Sequence, residues 1–530
     1  MYPCVAYSGR VRWFAVVAFA LAAGCGAAGC GSTSSPSTGA AGTNGAAGTS
    51  GPAGTSGAAG TSGAGGTNGT AGTSGTAGAA GKAGAGGAAG TGAAGASASG
   101  CANVDATLPA EPTIPPACAT LTASFAAVAG TTPSESTLDS ARIQAALNAC
   151  AVGQAVRLTA SGSNDSFITG PLTLPSGISL WVDAGATLFG TRDPKIYGSA
   201  TALITARGAN NGVYGTGVID GQGGEPQVGS TMSSWDINGA DGDNPALIQV
   251  LGATNFTLYK ITLHNAPKFH VKLGAAGFVV WGITIKTPSV ATNSVGTKLT
   301  ASSAHNTDGV DPGESASNGF IVYNQISVGD DHIAIKGGSG VNNLTIAHNH
   351  FEAGHGMSIG SETNGGVSNV KVCDLSIDGT NTGLSGGSAN GIRIKSDSSR
   401  GGLVNNIFYS DVCVRGLTNP IILTPKYSTD TGTLIPQYTN ITIQNFRSMS
   451  TSTTPKVTLL GYDATRLLGI TLDNVVVDDI TSANITATYA NVTLGPGMVS
   501  FTPTGTSVTV TNKVAGPSTA NPCTNKWVTF

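Results

Sequence analysis

Short segments in which apolar and polar residues alternate recur along the chain after about residue 155. Alternation with a period of two sends successive side chains to opposite faces, which is the pattern of a β-strand. The segments recur roughly every 20–30 residues, with turn-forming residues and no helical pattern between them. They cover residues 178–182, 256–258, 278–281, 320–322, 344–346, 370–372, 441–443 and 468–472. This spacing predicts stacked structural repeats rather than separate globular units.

Strand-only repeats predict an all-β chain folded as a single-stranded parallel β-helix, a solenoid in which each coil buries its inner face against its neighbours. Several segments are introduced by asparagine, at Asn255, Asn343, Asn369 and Asn440. We expect Asn343 and Asn369 to stack from coil to coil as part of the scaffold. A β-propeller is the alternative fold, but no Gly-His…Trp-Asp blade signature is present in the sequence.

One stretch before the repeats has apolar residues at helical spacing instead. These residues are Leu138, Ile143, Ala146 and Leu147. They predict an amphipathic helix over residues 137–150, with Ser136 or Thr137 capping its start. We expect this helix to cap the open N-terminal end of the β-helix, where an uncovered strand edge could pair with other chains.

The first 30 residues have the pattern of an export signal. Arg10 and Arg12 precede an apolar run, 13–23, that is too short to span a bilayer and is followed by small residues. Cys25 and Cys30 each follow Ala-Ala-Gly, which is similar to a bacterial lipobox except that alanine replaces the usual leucine. We therefore expect an extracellular or cell-surface protein. Either it is lipidated at Cys25 or Cys30 and anchored to the outer membrane, or it is freely secreted.

Residues 31–117 are expected to connect this signal to the folded domain at 118–530. Glycine falls at every third position from 39 to 90, but the collagen pattern also needs abundant proline, which this tract lacks. Without large apolar residues the tract cannot bury a core, so a flexible surface linker is favoured over a trimeric stalk. A proline-rich run, 109–116, leads into the domain.

Export permits disulfide bonds. Cys118 and Cys150 flank the predicted helix, and they are the pair that we expect to be bridged. The other cysteines of the mature chain cannot be paired from their positions alone; they are Cys101, Cys373, Cys413 and Cys523.

Charged residues make up only 10% of the chain, and the formal net charge is −3. No basic run indicates nucleic acid as a partner. Four short islands nevertheless concentrate ionisable side chains; they are residues 306–308, 329–331, 354–356 and 393–395. Positions one coil apart stack on the same face of a β-helix, so the four islands could lie side by side on one wall.

The islands contain residue types suited to hydrolysis of a charged polysaccharide. Enzymes that hydrolyse glycosidic bonds usually do so with a pair of carboxyl groups that share a cleft. An arginine and a lysine beside these carboxyl groups indicate a substrate that carries its own carboxylate. Arg393 and Lys395 alternate with Ile394 and should face the same way. Asp330 and Asp331 are adjacent, so both can reach the cleft only if Gly329 marks a strand end or a bend.

The four islands resemble the motifs of glycoside hydrolase family 28, the polygalacturonases, and most closely those of bacterial endopolygalacturonases. The matching motifs are Asn-Thr-Asp-Gly-Val-Asp at 306–311, Gly-Asp-Asp at 329–331, Gly-His-Gly at 354–356 and Arg-Ile-Lys at 393–395. The resemblance extends over roughly residues 118–480 and includes Phe269-His270-Val271. It implies a right-handed parallel β-helix, a monomeric catalytic domain and inverting hydrolysis of the α-1,4 bonds of polygalacturonate, the pectic polysaccharide.

The resemblance also implies roles for individual residues. Asp330 would be the general acid, Asp308 and Asp331 would hold and activate water, and His355 would hydrogen-bond the acid. Repulsion among three carboxylates should raise the pKa of one of them, so that it keeps its proton. Arg393, Lys395, Asn306 and Tyr427 are expected to contact the substrate, and no metal or cofactor is implied.

Three alternatives remain open from the sequence. The first is exo-acting hydrolysis or a substituted galacturonan as substrate, because a glycine-rich insertion at 383–388 could reshape the cleft. The second is a calcium-dependent pectate lyase on a similar β-helix, and the third is a surface protein that binds pectin without cleaving it.

Overall fold

The computed structural model describes residues 101–530, except 102, 241, 381–388, 451–453, 514–520 and 529–530. The described residues all belong to one compact unit, Thr91–Phe530. The expected export signal, the cysteines Cys25 and Cys30, the glycine-rich tract and the 383–388 insertion lie outside the described residues. Within the described part, no helix is both long enough and apolar enough to span a bilayer.

Within the described residues, three α-helices, four three-residue 3-10 helices and 29 strands make up the regular structure. The α-helices are α1 (Ser140–Ala149), α2 (Pro194–Tyr197) and α3 (Ser234–Gly239). The strands before the acidic islands are β1 (Ala117–Thr122), β2 (Gln154–Thr159), β3 (Ser166–Thr169), β4 (Leu172–Leu174), β5 (Ile178–Val182), β6 (Thr187–Gly190), β7 (Ala202–Ala206), β8 (Gly212–Tyr214), β9 (Val218–Asp220), β10 (Ala246–Tyr259), β11 (Thr262–His264), β12 (Val271–Trp281) and β13 (Thr284–Lys286). Those that follow are β14 (Val310–Pro312), β15 (Ser317–Val322), β16 (Gln325–Ser327), β17 (Ile333–Ile335), β18 (Val341–Phe351), β19 (Met357–Ile359), β20 (Val367–Asp378), β21 (Asn390–Lys395), β22 (Leu403–Arg415), β23 (Asn419–Thr424), β24 (Gln437–Met449), β25 (Val457–Leu460), β26 (Leu468–Val477), β27 (Ile485–Thr488), β28 (Ala490–Leu494) and β29 (Val508–Asn512).

The strands pair in parallel, each with the strand at the same place in the next coil, so the predicted parallel β-helix is confirmed. One stack of strands is called the front wall here because it carries the site described below. It consists of β4, β7, β10, β12, β14, β17, β19, β21, β23, β25 and β27. Neighbouring strands are about 4.8 Å apart, so each coil advances the wall by that distance.

The core is a set of columns of apolar side chains that point into the coils. Register places Ile346, Val372, Tyr409, Ile443 and Leu472 in one such column, and each is fully buried. Each coil thus covers apolar surface of the next, and burial of that surface is the main favourable term for stacking.

An asparagine ladder runs along one turn of the coils. Its members are Asn318, Asn343, Asn369, Asn406 and Asn440. From the second member onward, each side-chain amide donates to the amide oxygen of the preceding member, at 2.7–3.2 Å. All five have φ between 53° and 57°, a left-handed conformation that asparagine tolerates better than most residues. The expected stacking of Asn343 and Asn369 is therefore confirmed.

Helix α1 covers the N-terminal end of the coils, as predicted, and fully buries Ile143 and Leu147 against β2, β4 and β5. The expectation that Ser136 or Thr137 caps it is wrong, because the helix begins at Ser140 with Asp139 in the capping position. The Asp139 carboxylate makes no capping hydrogen bond to the helix backbone; it accepts from the backbone amide of Ile168 at 2.8 Å and from the Arg142 side chain at 2.6 Å. This contact with β3 sets where the helix begins.

In the described part of the chain, three disulfide bonds tie peripheral segments to the coils. Cys118 pairs with Cys150, the bridge expected from their positions around α1. The other two bridges are Cys101–Cys373 and Cys413–Cys523, which join the two ends of the described chain to β20 and β22. The proline-rich segment before β1 is thereby held next to the β-helix.

We predict that Asn369→Ala destabilises the protein by about 1–3 kcal/mol. The substitution removes two ladder hydrogen bonds, and alanine is strained at positive φ because its side chain cannot hydrogen-bond the nearby backbone. Asn369→Gly should cost less, since glycine adopts this φ without strain. Thermal and chemical unfolding of both variants measure the difference. Equal stability of the alanine variant and the wild type would contradict the ladder's proposed contribution.

Candidate active site

Three ionisable side chains occupy the same position in three consecutive coils of the front wall. Asp308, Asp331 and His355 each lie two residues before the start of β14, β17 and β19, respectively. The backbone ladder continues through this position, where the Gly309 amide donates to the Asp331 carbonyl at 2.9 Å. Three of the four islands are therefore adjacent because the coils that carry them are stacked in register.

Gly329 lies in a bend between β16 and β17, as the sequence required for two adjacent aspartates to share a cleft. A Cβ at Gly329 would lie 2.2 Å from the Ala304 carbonyl oxygen, so a larger residue would have to displace backbone. The Asp331 carboxyl is 1% exposed and the Asp330 side chain is 22% exposed. The bend thus places one carboxylate inside the wall and one at its surface.

Asp331 is held by three donors from the next two coils. Ser358 Oγ donates to its Oδ1 at 2.7 Å, Lys395 Nζ lies 2.7 Å from Oδ2, and Arg393 Nη1 lies 3.3 Å from Oδ1. Both cations of the fourth island therefore face the same way on β21, as alternation predicted. In this structure, however, they contact Asp331. Ser358 was not singled out from the sequence.

Arg393 and Lys395 also lie beside Tyr427, which is 44% exposed at the cleft surface. The Tyr427 ring centroid is 5.2 Å from the Arg393 guanidinium carbon and 5.1 Å from Lys395 Nζ. Arg393 Nε is buried and has no hydrogen-bond partner in the described structure. The arginine therefore keeps one donor that is not used by Asp331.

Asp330 and His355 form a hydrogen-bonded pair in which Nδ1 of His355 lies 2.9 Å from Oδ1 of Asp330. This bond raises the pKa of His355. Burial favours the neutral form of Asp330, but the His355 hydrogen bond and nearby cations outweigh it and lower the Asp330 pKa to about 2. In the free protein the proton of this pair therefore resides on the imidazole.

Asp308 is the carboxyl whose pKa is raised, to about 7, because it is buried and lies near Asp330 and Asp331. The cation nearest to it is Lys336, with Nζ 3.4 Å from Oδ2, and this charge opposes the rise in pKa. The raised pKa thus belongs to Asp308, with burial as its main cause, whereas the pKa of Asp330, the expected acid, is lowered. The physical reason is that His355 stabilises the Asp330 charge directly.

Asp311 adds a fourth carboxyl behind Asp308. It is 4% exposed, its Oδ1 has no hydrogen-bond partner in the described structure, and burial raises its pKa well above the ordinary value. Lys336 was missed from the sequence, although alternation with the buried Ile333 and Ile335 shows that it points outward.

Two buried histidines support the backbone of the site. His270 Nδ1 lies 3.0 Å from the Asp308 carbonyl oxygen and Nε2 lies 2.8 Å from the Thr287 hydroxyl. His332 Nδ1 accepts from the Gly356 amide at 3.1 Å, and Nε2 donates to the Glu352 carbonyl at 3.2 Å. Burial lowers the pKa of both imidazoles to about 4, so both are neutral. Their contacts fix the main chain beside the acids.

Asn306 lies at the rim of the site in a left-handed conformation with φ of 56°. It is half-buried, and its side chain forms no hydrogen bond with the described residues. The following Thr307 accepts from the Gly329 amide at 3.0 Å and donates to the Ala304 carbonyl at 2.8 Å. The Asn-Thr pair thus joins the first island to the second.

The donor set of a metal site is present in part. One oxygen each of Asp330 and Asp331 and a ring nitrogen of His355 lie within 4.8 Å of one another. Lys395 and Arg393 already supply positive charge to Asp331, and His355 donates to Asp330. A cation bound here would have to compete with these groups.

Comparison with known proteins agrees with the fold, and the region matched by a family profile contains all four islands. The profile described as "Glycosyl hydrolases family 28" matches residues 150–500. A polygalacturonase from Ralstonia nicotianae is 41% identical over 492 residues, covering 79% of this chain and 91% of its own length. An endo-polygalacturonase from Pectobacterium parmentieri is 39% identical over 397 residues, covering 70% and 89%.

A solved structure shows the same architecture. The polygalacturonase from Erwinia carotovora ssp. carotovora superposes with a TM-score of 0.61 and 37% sequence identity, covering 72% of this chain and 98% of that chain. The profile match covers more than half of the sequence, and the relatives are aligned over most of their length. The chain therefore belongs to glycoside hydrolase family 28.

Proposed function

We propose that this protein is an endo-polygalacturonase that hydrolyses the α-1,4 bonds of polygalacturonate with inversion. The observation that carries the proposal is the cluster of Asp308, Asp330 and Asp331 beside the cations Arg393 and Lys395. The carboxylates provide an acid and a base, and the cations suit a uronic acid. The names of the relatives support the same reaction and substrate.

Asp330 is the general acid in this proposal, and His355 supplies its proton. Polymer in the cleft displaces water from Asp330, and loss of hydration favours the protonated carboxyl. His355 Nδ1, which carries the proton, lies 2.9 Å from Asp330 Oδ1, so the proton passes to Asp330 and from there to the oxygen of the leaving sugar. A low pKa of Asp330 in the free protein is compatible with this role because the pair acts as one proton-holding unit.

Asp308 and Asp331 hold and activate the attacking water. Lys395 and Arg393 stabilise the carboxylate of Asp331, and Lys336 does so for Asp308. Water must enter between acid and base on the face of the sugar opposite to the leaving group, which yields inversion. Proton NMR of the first product formed tests this, since the released reducing end should initially be the β-anomer.

Arg393 and Lys395 bind the carboxylate of a galacturonate next to the scissile bond. The unpartnered Arg393 Nε supports this assignment, since a buried donor without an acceptor is costly. Tyr427 is exposed beside both cations and would contact the sugar, and Asn306 at the rim has its amide available. In this proposal the same two cations pair with the Asp331 carboxylate and bind the substrate carboxylate.

Endo-action is supported by the continuity of the front wall. Outward-facing positions continue through Thr205, Gln249 and Lys272 before the cluster and through Ile422 and Thr458 after it. A polymer could therefore extend past the cluster in both directions. Exo-action would need one direction to be blocked, and a pectate lyase would need calcium.

The test is incubation of the purified protein with polygalacturonate in excess EDTA, following reducing ends, viscosity and ultraviolet absorbance together. Reducing ends with a fast fall in viscosity and no new absorbance are expected for an endo-hydrolase. A slow fall in viscosity would instead indicate exo-action. Absorbance of unsaturated product would exclude hydrolysis, and binding without any cleavage would favour a binding protein.

We also propose that the protein is exported to the cell surface or the medium. The charged and apolar pattern of residues 1–30 and the three disulfide bonds support export. Lipidation at Cys25 or Cys30 is the proposed means of anchoring. Metabolic labelling with a fatty acid, in wild type and in a Cys25→Ser/Cys30→Ser double variant, tests it.

Asp330→Asn is predicted to lower kcat by about 10²–10⁴-fold, because an amide cannot donate the acid's proton. Folding and binding of oligogalacturonate should be retained, since the substitution keeps the side-chain shape. Circular dichroism, thermal unfolding and calorimetric titration measure these properties. Asp479→Asn is the matched control, because Asp479 is exposed and has a φ of 56° that asparagine accepts. Loss of folding in Asp330→Asn would contradict the assignment.

Lys336→Met is predicted to shift the acidic limb of the activity profile upward by about one pH unit. Lys336 lowers the pKa of Asp308, so its removal raises that pKa, and a higher pH is then needed to ionise the base. Activity should therefore fall more at low pH than at high pH. Lys336→Arg, which keeps the charge, should leave the limb near its original position. An equal loss at every pH would show that Lys336 does not act through Asp308.

A further inference from the structure

The loop that carries Tyr427 has no helix or strand of its own. It covers residues 425–436, between β23 and β24, and is called the Tyr427 loop here. From 426 to 434 its residues are exposed, apart from the half-buried Ser428. Exposed loops are generally more mobile than the strands that they connect. Contacts other than burial in the core must therefore hold Tyr427 beside the two substrate-binding cations.

Those contacts come from the turn that follows β21, one coil earlier. This segment, residues 396–402, is called the Asp397 turn because the buried Asp397 lies near its start. One carboxylate oxygen of Asp397, Oδ1, accepts from the backbone amide of Ser399 at 2.9 Å and from the hydroxyl of the same residue. The other oxygen, Oδ2, lies 3.0 Å from Arg400 Nε and 2.9 Å from the Ser428 hydroxyl. A buried carboxylate needs such partners, and Ser428 is the one among them that belongs to the Tyr427 loop.

Arg400 makes a second connection between the same two segments. Its Nη2 lies 3.1 Å from Oδ2 of Asp430, which is on the Tyr427 loop, and its Nη1 lies 3.4 Å from Oε1 of Glu362, which follows β19. The Ser428 hydroxyl is also 3.0 Å from Asp430 Oδ2. Because β19, β21 and β23 are consecutive strands of the front wall, this network joins the turns of three coils. Surface ion pairs contribute most when several of them are linked in this way.

Backbone contacts bring the loop directly against the Asp397 turn. The Tyr427 amide donates to the Ser396 carbonyl at 2.8 Å, and the Leu434 amide donates to the Ser398 carbonyl at 2.9 Å. Between them, the Gly432 amide donates to Ser398 Oγ at 3.1 Å. A Cβ at Gly432 would lie 2.5 Å from the Ser398 carbonyl oxygen, so the two segments are in close contact. The side-chain network therefore acts on a loop that is already close to the turn.

We propose that Asp397 and Arg400 are positioning residues for substrate binding. By holding side chains of the Tyr427 loop, they keep Tyr427 beside the two cations before the polymer arrives. The entropy cost of ordering this loop is then met during folding rather than during binding, which increases affinity. The inference rests on the proposed function and adds to it two residues that act through Tyr427.

The test compares Ser428→Ala with the wild type, using an oligogalacturonate of defined length as substrate. The substitution removes the hydroxyl that links the loop to Asp397, so the KM should rise about three- to tenfold, the effect of one hydrogen bond. The kcat should stay within about twofold of the wild-type value, because the acid and the base are unchanged. Ser428→Thr keeps a hydroxyl and should retain the wild-type KM. Thermal unfolding measures whether each variant is folded.

Ser399→Ala is the matched control. The Ser399 hydroxyl also donates to Asp397, but it lies within the Asp397 turn, so its loss should leave the KM close to the wild-type value. A second comparison places Ser428→Ala in a Tyr427→Ala protein. Because Ser428 is proposed to act through Tyr427, the two changes should not be additive, and Ser428→Ala should no longer raise the KM.

The outcomes separate the inference from the proposed function. A wild-type KM in Ser428→Ala would overturn the positioning role. An equal rise in Ser399→Ala, or a rise that persists in the Tyr427→Ala protein, would overturn it as well. In each of these cases hydrolysis by the wild-type protein would still support the proposed function. Failure of the wild-type protein to bind or cleave oligogalacturonate would instead overturn the proposed function, and with it the substrate contact assigned to Tyr427.

Discussion

Parallel pairing of each strand with the equivalent strand one coil later is the constraint on which the structure depends. This pairing stacks the inward side chains into apolar columns and the outward side chains into rows. The register between neighbouring strands stays nearly the same along the front wall. A shift by one residue would turn each apolar column outward, so register is strongly specified. The active-site geometry follows directly, because residues that are far apart in sequence become neighbours about 4.8 Å apart.

The same stacking allows a chain with few charges to hold several ionised groups in a mostly buried cluster. Asp331 is almost fully buried, yet it receives Lys395, Arg393 and the Ser358 hydroxyl from the next two coils. Burial of an unpaired carboxylate would be strongly destabilising, whereas a paired and hydrogen-bonded one is tolerated. Because the partners are fixed by strands, little reorganisation is required when charge develops during the reaction.

The distribution of protons depends on local contacts more than on the number of carboxylates. Repulsion among three acids predicts that one pKa rises, but it does not identify which one. His355 bonds directly to Asp330 and lowers that pKa, while the more deeply buried Asp308 has the raised pKa, with Lys336 opposing the rise. A mechanism in which Asp330 and His355 share the acid's proton reconciles these directions with the role that the family resemblance implies for Asp330.

Several features could be predicted from the sequence alone because they are local or periodic. The alternation of apolar residues and the helical pattern before it predicted the β-helix and its capping helix. The four islands, with Arg393 and Lys395 on the same face, predicted most of the candidate site. Tertiary structure decided the rest. It paired Cys101 with Cys373 and Cys413 with Cys523, moved the helix start to Ser140, and placed Lys336 beside Asp308. These features depend on which coils are neighbours and on the distances between their side chains, and no single stretch of sequence contains that information.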